Sequence, residues 1–258
     1  MDNFNYKKVA DITALSASLT NFKYKNHYHK EYAIGVTLRG IQHYHLDGHL
    51  QLSYPNGVMF FNPEQAHDGM AHDENGLDYV MLYIDPQSLL DVTEKKEMIY
   101  FQKPIVYNHI LKSSVLNLAH AILSGKDESL CSTLLLSLTD NLIQTNVSAN
   151  LLKDNTLIKK AKEMLRSDLG NVLKLDEISK QLNLSKFQFI RMFKAQTGIT
   201  PYQYSLNHRL EQARQLMEKS KDLYSAVAHY GFVDLTHLNK HFKCVYGTTA
   251  HEYISYLN

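Results

Sequence analysis

The sequence predicts an α+β protein of two domains, with an all-β region followed by an all-α region. Its 258 residues are enough for two domains of ordinary size, each with its own core. Up to about residue 105, short runs rich in Tyr, Val, Ile and Phe alternate with turn signals such as "LDGH", "YPNG" and "DENG". That spacing is typical of a β-barrel or β-sandwich. From Thr156 onward, apolar residues recur at helical spacing between cap residues.

Composition narrows the class of protein further. A hydrophobic content of 44% with 21% charged residues is that of a soluble globular chain. The first residues lack the pattern of a secretion signal, and the richest apolar run, "LCSTLLLSLTDNLI", is too short and too polar to span a bilayer. We therefore expect a cytoplasmic protein without a membrane partner. Cys131 and Cys244 alone provide neither a disulfide framework nor a cysteine zinc site.

The net charge of +1 conceals an asymmetry between the two halves. Residues 1–154 carry 12 Lys and Arg against 17 Asp and Glu, whereas residues 155–258 carry 15 against 9. A basic half of this kind indicates contact with a polyanion. On charge alone, a chance distribution explains the asymmetry equally well.

Two helices are predicted between the β-region, 1–105, and the second domain. Leu111, Val115, Leu118 and Ile122 share one helical face, and the "SGKDES" segment at 124–129 separates them from a second periodic run. This hairpin, 106–146, either packs on its own β-domain or forms a dimer interface, and we slightly favour the dimer interface. Residues 147–155 have the polar composition of a linker.

The second domain, 156–258, contains the same pair of helices twice. One unit has a helix around Leu175–Leu182, the turn "NLS" and a helix from Ser185 to Thr197. The other has a helix around Leu223–Tyr230, the turn "GFVD" and a helix from Asp234 to Tyr246. Ser185 and Thr200 have the character of N-caps, and Gly170 and Gly198 that of C-terminal stops. The repeat predicts two helix-turn-helix units.

The second helix of each unit has an apolar face and a face suited to DNA. Phe189 and Phe193, like Leu238 and Phe242, are four residues apart and are predicted to lie in the core. The opposite faces carry hydrogen-bonding and cationic side chains that suit a major groove. These predicted DNA-binding residues are Lys186, Phe187, Gln188, Arg191 and Lys194 in the first unit, and Leu235, Thr236, His237, Asn239, Lys240 and Lys243 in the second.

Residues 156–253 resemble the DNA-binding domain of the AraC/XylS family of bacterial transcription regulators. The matching segments are "LDEISKQLNLSKFQFIRMFKAQTGITPYQY", "RLEQARQLM" and "GFVDLTHLNKHFKCVYGTT". The resemblance implies two helix-turn-helix motifs that enter successive major grooves. It places Phe187, Arg191, Leu235, Thr236 and Lys240 against the bases. Ala250 departs from the family pattern, which has proline there.

The β-region resembles the cupin-like effector-binding domain found in members of the same family. The matching segments are "HYHKEYAIGVTLRG", "LDGHLQLSYPNGVMFFNPEQAHDG" and "YVMLYIDP". Metal-dependent cupins carry an HxH pair, a glutamate and a later histidine. Here His27, His29 and His67 match, whereas Glu31 comes too early. We therefore expect His27, His29, Glu31 and His67 to line an effector pocket rather than a metal centre, with the three histidines as the only metal candidates and with no cofactor.

A second histidine pair, His43 and His45, is treated as ordinary strand histidines. No nucleophile, nucleotide-binding or metalloprotease motif is present in the sequence, so we expect no enzyme. The sequence predicts a DNA-binding transcription regulator, preferably an activator, that is controlled by a small molecule and acts as a homodimer, with RNA polymerase as a further partner. The rival interpretation is a metal-dependent cupin enzyme with a helical tail.

Overall fold

The computed structural model describes residues 2–93, 99–144, 148–149, 156–167 and 174–257. They form two compact units, one built mainly on residues 1–23 and 28–151 and the other mainly on residues 152–256. Over the part of the chain so described, no helix combines the length and apolar character needed to cross a membrane.

Twelve strands and three helices make up the first unit as far as it is described. The strands are β1 (Asn3–Val9), β2 (Ile12–Leu19), β3 (Lys23–His27), β4 (Tyr32–Arg39), β5 (Gln42–Leu46), β6 (His49–Ser53), β7 (Val58–Phe61), β8 (His67–Ala71), β9 (Leu77–Ile84), β10 (Tyr100–Phe101), β11 (Ile105–Val106) and β12 (Ser148–Ala149). The helices are α1 (Pro86–Thr93), α2 (His109–Leu123) and α3 (Glu128–Gln144).

Most of these strands belong to two sheets that pack face to face. The six-stranded sheet has the order β1-β2-β9-β4-β7-β11, and the four-stranded sheet has the order β3-β8-β5-β6. The rings of Tyr44 on β5 and Phe61 on β7 lie 5.0 Å apart, which joins the two inner faces. The first unit is therefore the β-domain that the strand spacing predicts.

The hairpin of α2 and α3 covers the other face of the large sheet. Leu111, Val115 and Leu118 of α2 are fully buried in one cluster with Ile34 and Phe60 of the sheet. Packing on its own sheet therefore accounts for one side of the hairpin. On α3, Leu130, Leu136 and Ile143 remain exposed.

Two segments of the first unit differ from the sequence prediction. Residues 86–93, expected to continue the β-region, form helix α1, where Asp85 accepts the backbone N–H of Gln87 through its side chain at 2.8 Å. Within the predicted linker 147–155, Ser148 and Ala149 pair with β10, and residues 150–155 lie outside the described part of the chain. Helix α1 follows a local turn at Asp85, and the pairing of Ser148 and Ala149 depends on a distant strand. Composition reveals neither feature.

The second unit is helical throughout its described residues. Its helices are α4 (Thr156–Ser167), α5 (Leu175–Gln181), α6 (Lys186–Thr197), α7 (Pro201–Ser220), α8 (Leu223–His229), α9 (Leu235–Tyr246) and α10 (Ala250–Tyr256). The predicted stop at Gly170 lies outside the described residues.

The caps of the second unit follow the sequence closely. Ser185 and Thr200 each form a capping box with the glutamine three residues later. Gly198 and Gly247 end α6 and α9 with φ of 76° and 78°, a left-handed conformation that glycine adopts without steric penalty. The predicted N-caps Ser185 and Thr200 and the predicted C-terminal stop Gly198 are therefore confirmed.

A buried ionic network ties α7 to the second helix pair. The carboxylate of Glu211 accepts hydrogen bonds from the Arg214 guanidinium at 2.6 and 2.9 Å, and from the hydroxyl of Tyr246 on α9 at 3.1 Å. Arg214 also donates to Glu218 at 2.7 Å, and Glu218 accepts from Tyr253 of α10 at 2.9 Å. Buried charges persist only when they are paired in this way.

Candidate nucleic-acid interface and ligand-binding site

The α5–turn–α6 unit presents a polar face opposite its core. Phe189 and Phe193 are fully buried, as their spacing predicts. Phe187, Arg191 and Lys194 project outward, and Phe187 is 72% exposed. An exposed aromatic ring one residue inside a helix is costly in water, so this position suits apolar contact with a base methyl group.

Two predicted DNA-facing residues of α6 also serve the fold. Gln188 is exposed, but its side-chain oxygen accepts the backbone N–H of Ser185 at 2.9 Å and so completes the capping box. Lys186 is half-buried and its ammonium lies 3.0 Å from a carboxylate oxygen of Asp176 on α5. Their contribution to the outward face is therefore shared with structural contacts.

The α8–turn–α9 unit repeats the arrangement. Leu238 and Phe242 are fully buried, whereas Thr236, Lys240 and Lys243 are exposed on the outer face. Asp234 caps α9 by accepting the backbone N–H of His237 at 2.7 Å. A recognition helix fixed at its first turn holds its outward residues in one orientation.

Three other predicted residues of α9 are half-buried. Leu235 lies in its first turn. Asn239 accepts the backbone N–H of Ala250 at 2.9 Å through its side-chain oxygen, which supports the start of α10. His237 accepts the backbone N–H of Val233 through Nδ1 at 3.3 Å, and its Nε2 lies 3.1 Å from Nε2 of His241. Asn239 and His237 therefore also support the helix, and their contact with DNA stays a prediction.

An exposed residue in the turn between α8 and α9 is not among the predicted DNA-binding residues. Val233 is 84% exposed and directly precedes the N-cap of α9. An apolar side chain that the fold leaves in water beside the first turn of a recognition helix is a candidate for contact with a thymine methyl. Its place in the turn "GFVD" indicates exposure, but a valine is ordinarily expected in the core.

The β-domain brings three of its four predicted ligand residues together. The ligating nitrogens of His27, His29 and His67 all lie within 4.8 Å of one another, and all three side chains are buried. They come from the end of β3, the connection after it, and the start of β8, which is the neighbour of β3 in the small sheet. Glu31 is half-buried in the same connection and is not a member of this group.

Backbone carbonyls fix the orientation of two of these rings. Nδ1 of His27 lies 2.7 Å from the carbonyl oxygen of Lys25, and Nδ1 of His67 lies 2.8 Å from that of Gln65. A carbonyl only accepts, so Nδ1 of each ring carries the proton and Nε2 carries the lone pair. His29 packs edge-on to Tyr83 at 4.8 Å, and His67 packs against Phe61 at 4.3 Å.

A separate cavity of about 170 Å³ lies near the β5–β6 turn. None of the four predicted effector residues lines it. Gln65 spans its rim, donating to the Asp47 carboxylate at 2.6 Å and accepting from Asn62, which in turn bonds the backbone of Phe101. Its walls are Leu46, Asp47, His49, Gln51, Phe60, Gln65, Tyr100, Phe101, Gln102 and Pro104.

Comparison with known proteins identifies both domains of the chain. Residues 9–139 match the AraC-like ligand binding domain, and residues 178–255 match a helix-turn-helix domain. The chain belongs to the AraC family of transcription regulators. As in other AraC-type regulators, a ligand-binding domain precedes a DNA-binding domain of helix-turn-helix type.

Individual relatives are regulators as well. The chain is 27% identical over 225 residues to the uncharacterized HTH-type transcriptional regulator YbfI of Bacillus subtilis, covering 84% of this chain and 82% of that protein. It is 31% identical over 117 residues to the activator RhaS of Escherichia coli O157:H7, covering 45% and 41%. These relatives give no support to the enzyme interpretation.

The fold of the chain is similar to that of a solved two-domain structure. An apo form of ToxT from Vibrio cholerae superposes with a TM-score of 0.62 at 14% identity, covering 98% of this chain and 100% of that one. The same protein with a bound unsaturated fatty acid gives a TM-score of 0.62 at 12% identity. At these identities the likeness shows the fold alone.

Proposed function

We propose that the two helix-turn-helix units read DNA bases through the exposed residues at the starts and outer faces of α6 and α9. Phe187 and Arg191 serve the first unit, and Thr236 and Lys240 the second, with Val233 beside them. Lys194 and Lys243, one helical turn or more from each start, neutralise phosphates. The supporting observation is that these side chains point away from a fully buried aromatic face on both helices.

The effector site that we propose is the small-sheet side of the β-domain. The sequence predicts that His27, His29, Glu31 and His67 line this site. The cavity beside Asp47 and Gln65 is separate from these four residues, and we propose the cavity as the effector pocket. At about 170 Å³ the cavity has roughly the volume of five or six liquid waters. Its carboxylate and three glutamine amides suit a compact hydroxylated or amine-bearing molecule and not a long acyl chain.

We propose that the regulator acts as a homodimer through α3. Leu130, Leu136 and Ile143 are exposed on a helix whose other side is already packed on the large sheet. Regulators that bind two half-sites use such a dimer to set the spacing of their DNA contacts. A change in the β-domain on effector binding then alters the presentation of the DNA-binding units.

An activating, non-catalytic role in the cytoplasm completes the proposal. The named activator RhaS is 31% identical to this chain over 117 residues. As an activator of transcription, the protein would contact RNA polymerase. A cytoplasmic location is supported by the helix-turn-helix domain, whose proposed partner is chromosomal DNA. Regulation of this kind requires no chemical step from the β-domain.

Selection of bound sequences from a random duplex pool tests the DNA-binding proposal. The pool is incubated with the full chain, and the enriched sites are assayed by gel shift with and without the Arg191→Ala and Lys240→Ala changes. The proposal predicts two enriched submotifs, each degraded by one of the two changes. Enrichment of no motif, or a motif that neither change affects, would contradict it.

A further inference from the structure

We propose that His27, His29 and His67 bind one divalent late first-row transition-metal ion, such as zinc or nickel, through three imidazole nitrogens. The site goes beyond the effector pocket proposed above and does not depend on DNA binding. It also revises the expectation, drawn from the misplaced Glu31, that the β-domain holds no metal.

The first argument is the fit of the three nitrogens. Tetrahedral coordination with metal–nitrogen bonds of about 2.0–2.1 Å places ligand nitrogens about 3.3 Å apart. The three candidate atoms lie within 4.8 Å of one another, so small side-chain rotations bring them to an ion at their centre. Three neutral imidazoles form a complete protein ligand set for zinc when solvent or a bound molecule takes the remaining position.

The second argument is the state of the rings. A histidine that ligates a metal ordinarily donates its other N–H to a carbonyl or carboxylate, which holds the ring and selects the tautomer. His27 and His67 have this arrangement, each with a carbonyl two residues earlier in the chain. In the neutral ring this contact selects the tautomer in which Nε2 is the nitrogen that coordinates a metal.

The third argument is burial. The side chains of His27, His29 and His67 are 3%, 6% and 7% exposed, whereas the second HxH pair, His43 and His45, is half-buried and exposed. The three rings of this group are therefore enclosed by the fold, which the second pair is not.

Such an ion would join three separate segments of the fold. His27 ends β3, His29 lies in the connection that follows it, and His67 begins β8. An ion that binds the folded chain and not the unfolded one stabilises the β-domain in proportion to its occupancy. Metal binding is therefore expected to raise the melting temperature of the full chain.

The test uses the full chain after dialysis against a chelator. Zn²⁺ is titrated by calorimetry, and elemental analysis gives the stoichiometry. Matched variants are His29→Asn and His67→Asn, with the double variant of His43→Asn and His45→Asn as a control for an exposed HxH pair, and His241→Asn as a control for the pair on α9. Circular dichroism checks that every variant is folded.

One ion per chain is expected in the wild type and in both controls, with the affinity lowered at least about 100-fold in His29→Asn and His67→Asn. Pulsed electron paramagnetic resonance of the Cu²⁺-loaded wild type counts coordinated imidazoles without any variant, and three are expected. Loss of binding in a control, unchanged binding in His29→Asn or His67→Asn, or fewer than three coordinated imidazoles would overturn the proposal. Gel shifts on the same samples report DNA binding separately, so the failure of one proposal leaves the other intact.

Discussion

Replacement of Glu211 by alanine should destabilise the second helix-turn-helix unit by about 3 kcal/mol. Glu211 is 4% exposed and accepts four hydrogen bonds, two from Arg214, one from Gln215 and one from Tyr246. Removing one partner of a buried ion pair ordinarily costs about 3–5 kcal/mol, because the other charge remains desolvated. Arg214 keeps its bond to Glu218 at 2.7 Å, which puts the expected cost at the lower end of that range.

Native-state hydrogen exchange on the full chain measures this effect where it arises. The backbone amides of α9 should lose protection in Glu211→Ala, since the Tyr246 hydroxyl loses its acceptor. The matched control is Glu177→Ala, which removes the same charge from a pair with Lys174 in which both side chains are 64% exposed. That change should cost less than about 1 kcal/mol. Equal effects of the two substitutions would refute the assignment of Glu211 to the network that holds α9.

Three further predictions concern DNA, acidity and assembly. Arg191→Ala should weaken specific binding by about 1–3 kcal/mol and relax the preference at one base pair, and a gel shift against variant operators that showed neither would remove Arg191 from the bases. Burial, together with the neighbouring charge of His237, lowers the pKa of His241. The stability that the neutral ring contributes is therefore fully present above the ordinary histidine pKa of about 6.5. It is lost as the pH falls from there toward the lowered pKa of the folded state. Protection of the first turn of α9 should decline with acid in the wild type and not in His241→Asn. Leu136→Glu should convert a dimer to a monomer in analytical ultracentrifugation, because Leu136 is 49% exposed on α3, and an unchanged sedimentation coefficient would contradict the α3 interface.

The local features of the second unit could be predicted from the sequence because they depend on neighbours in the chain. Ser185, Thr200 and Gly198 act within one turn of their positions, and the i,i+4 pair of Phe189 and Phe193 follows from helical geometry. The Ser-x-x-Gln spacing also indicates the capping role of Gln188, which the sequence analysis assigns to the DNA-facing side. A residue can satisfy both patterns, and only the hydrogen bonds distinguish them.

The features that escaped prediction depend on contacts between distant segments. The side-chain oxygen of Asn239 on α9 accepts the backbone N–H of Ala250 at the start of α10. Ser148 pairs with a strand nearly fifty residues earlier. The cavity forms where Asp47, Gln65 and Tyr100 converge from three separate stretches. The sequence names His27, His29 and His67 as one group, through the HxH pair and the resemblance to cupins, whereas the distance to His67 follows from the pairing of β3 with β8.

Hydroxyl-radical footprinting of the full chain on an operator selected from the random pool tests the central claim most directly. Two helix-turn-helix units that read successive major grooves should protect, in each half-site of the dimer, two regions about one helical turn, roughly 10 base pairs, apart on one face of the duplex. Arg191→Ala should weaken the protection of one region of each pair, and Lys240→Ala that of the other. A single protected region, or two regions that both survive the two substitutions, would contradict the account.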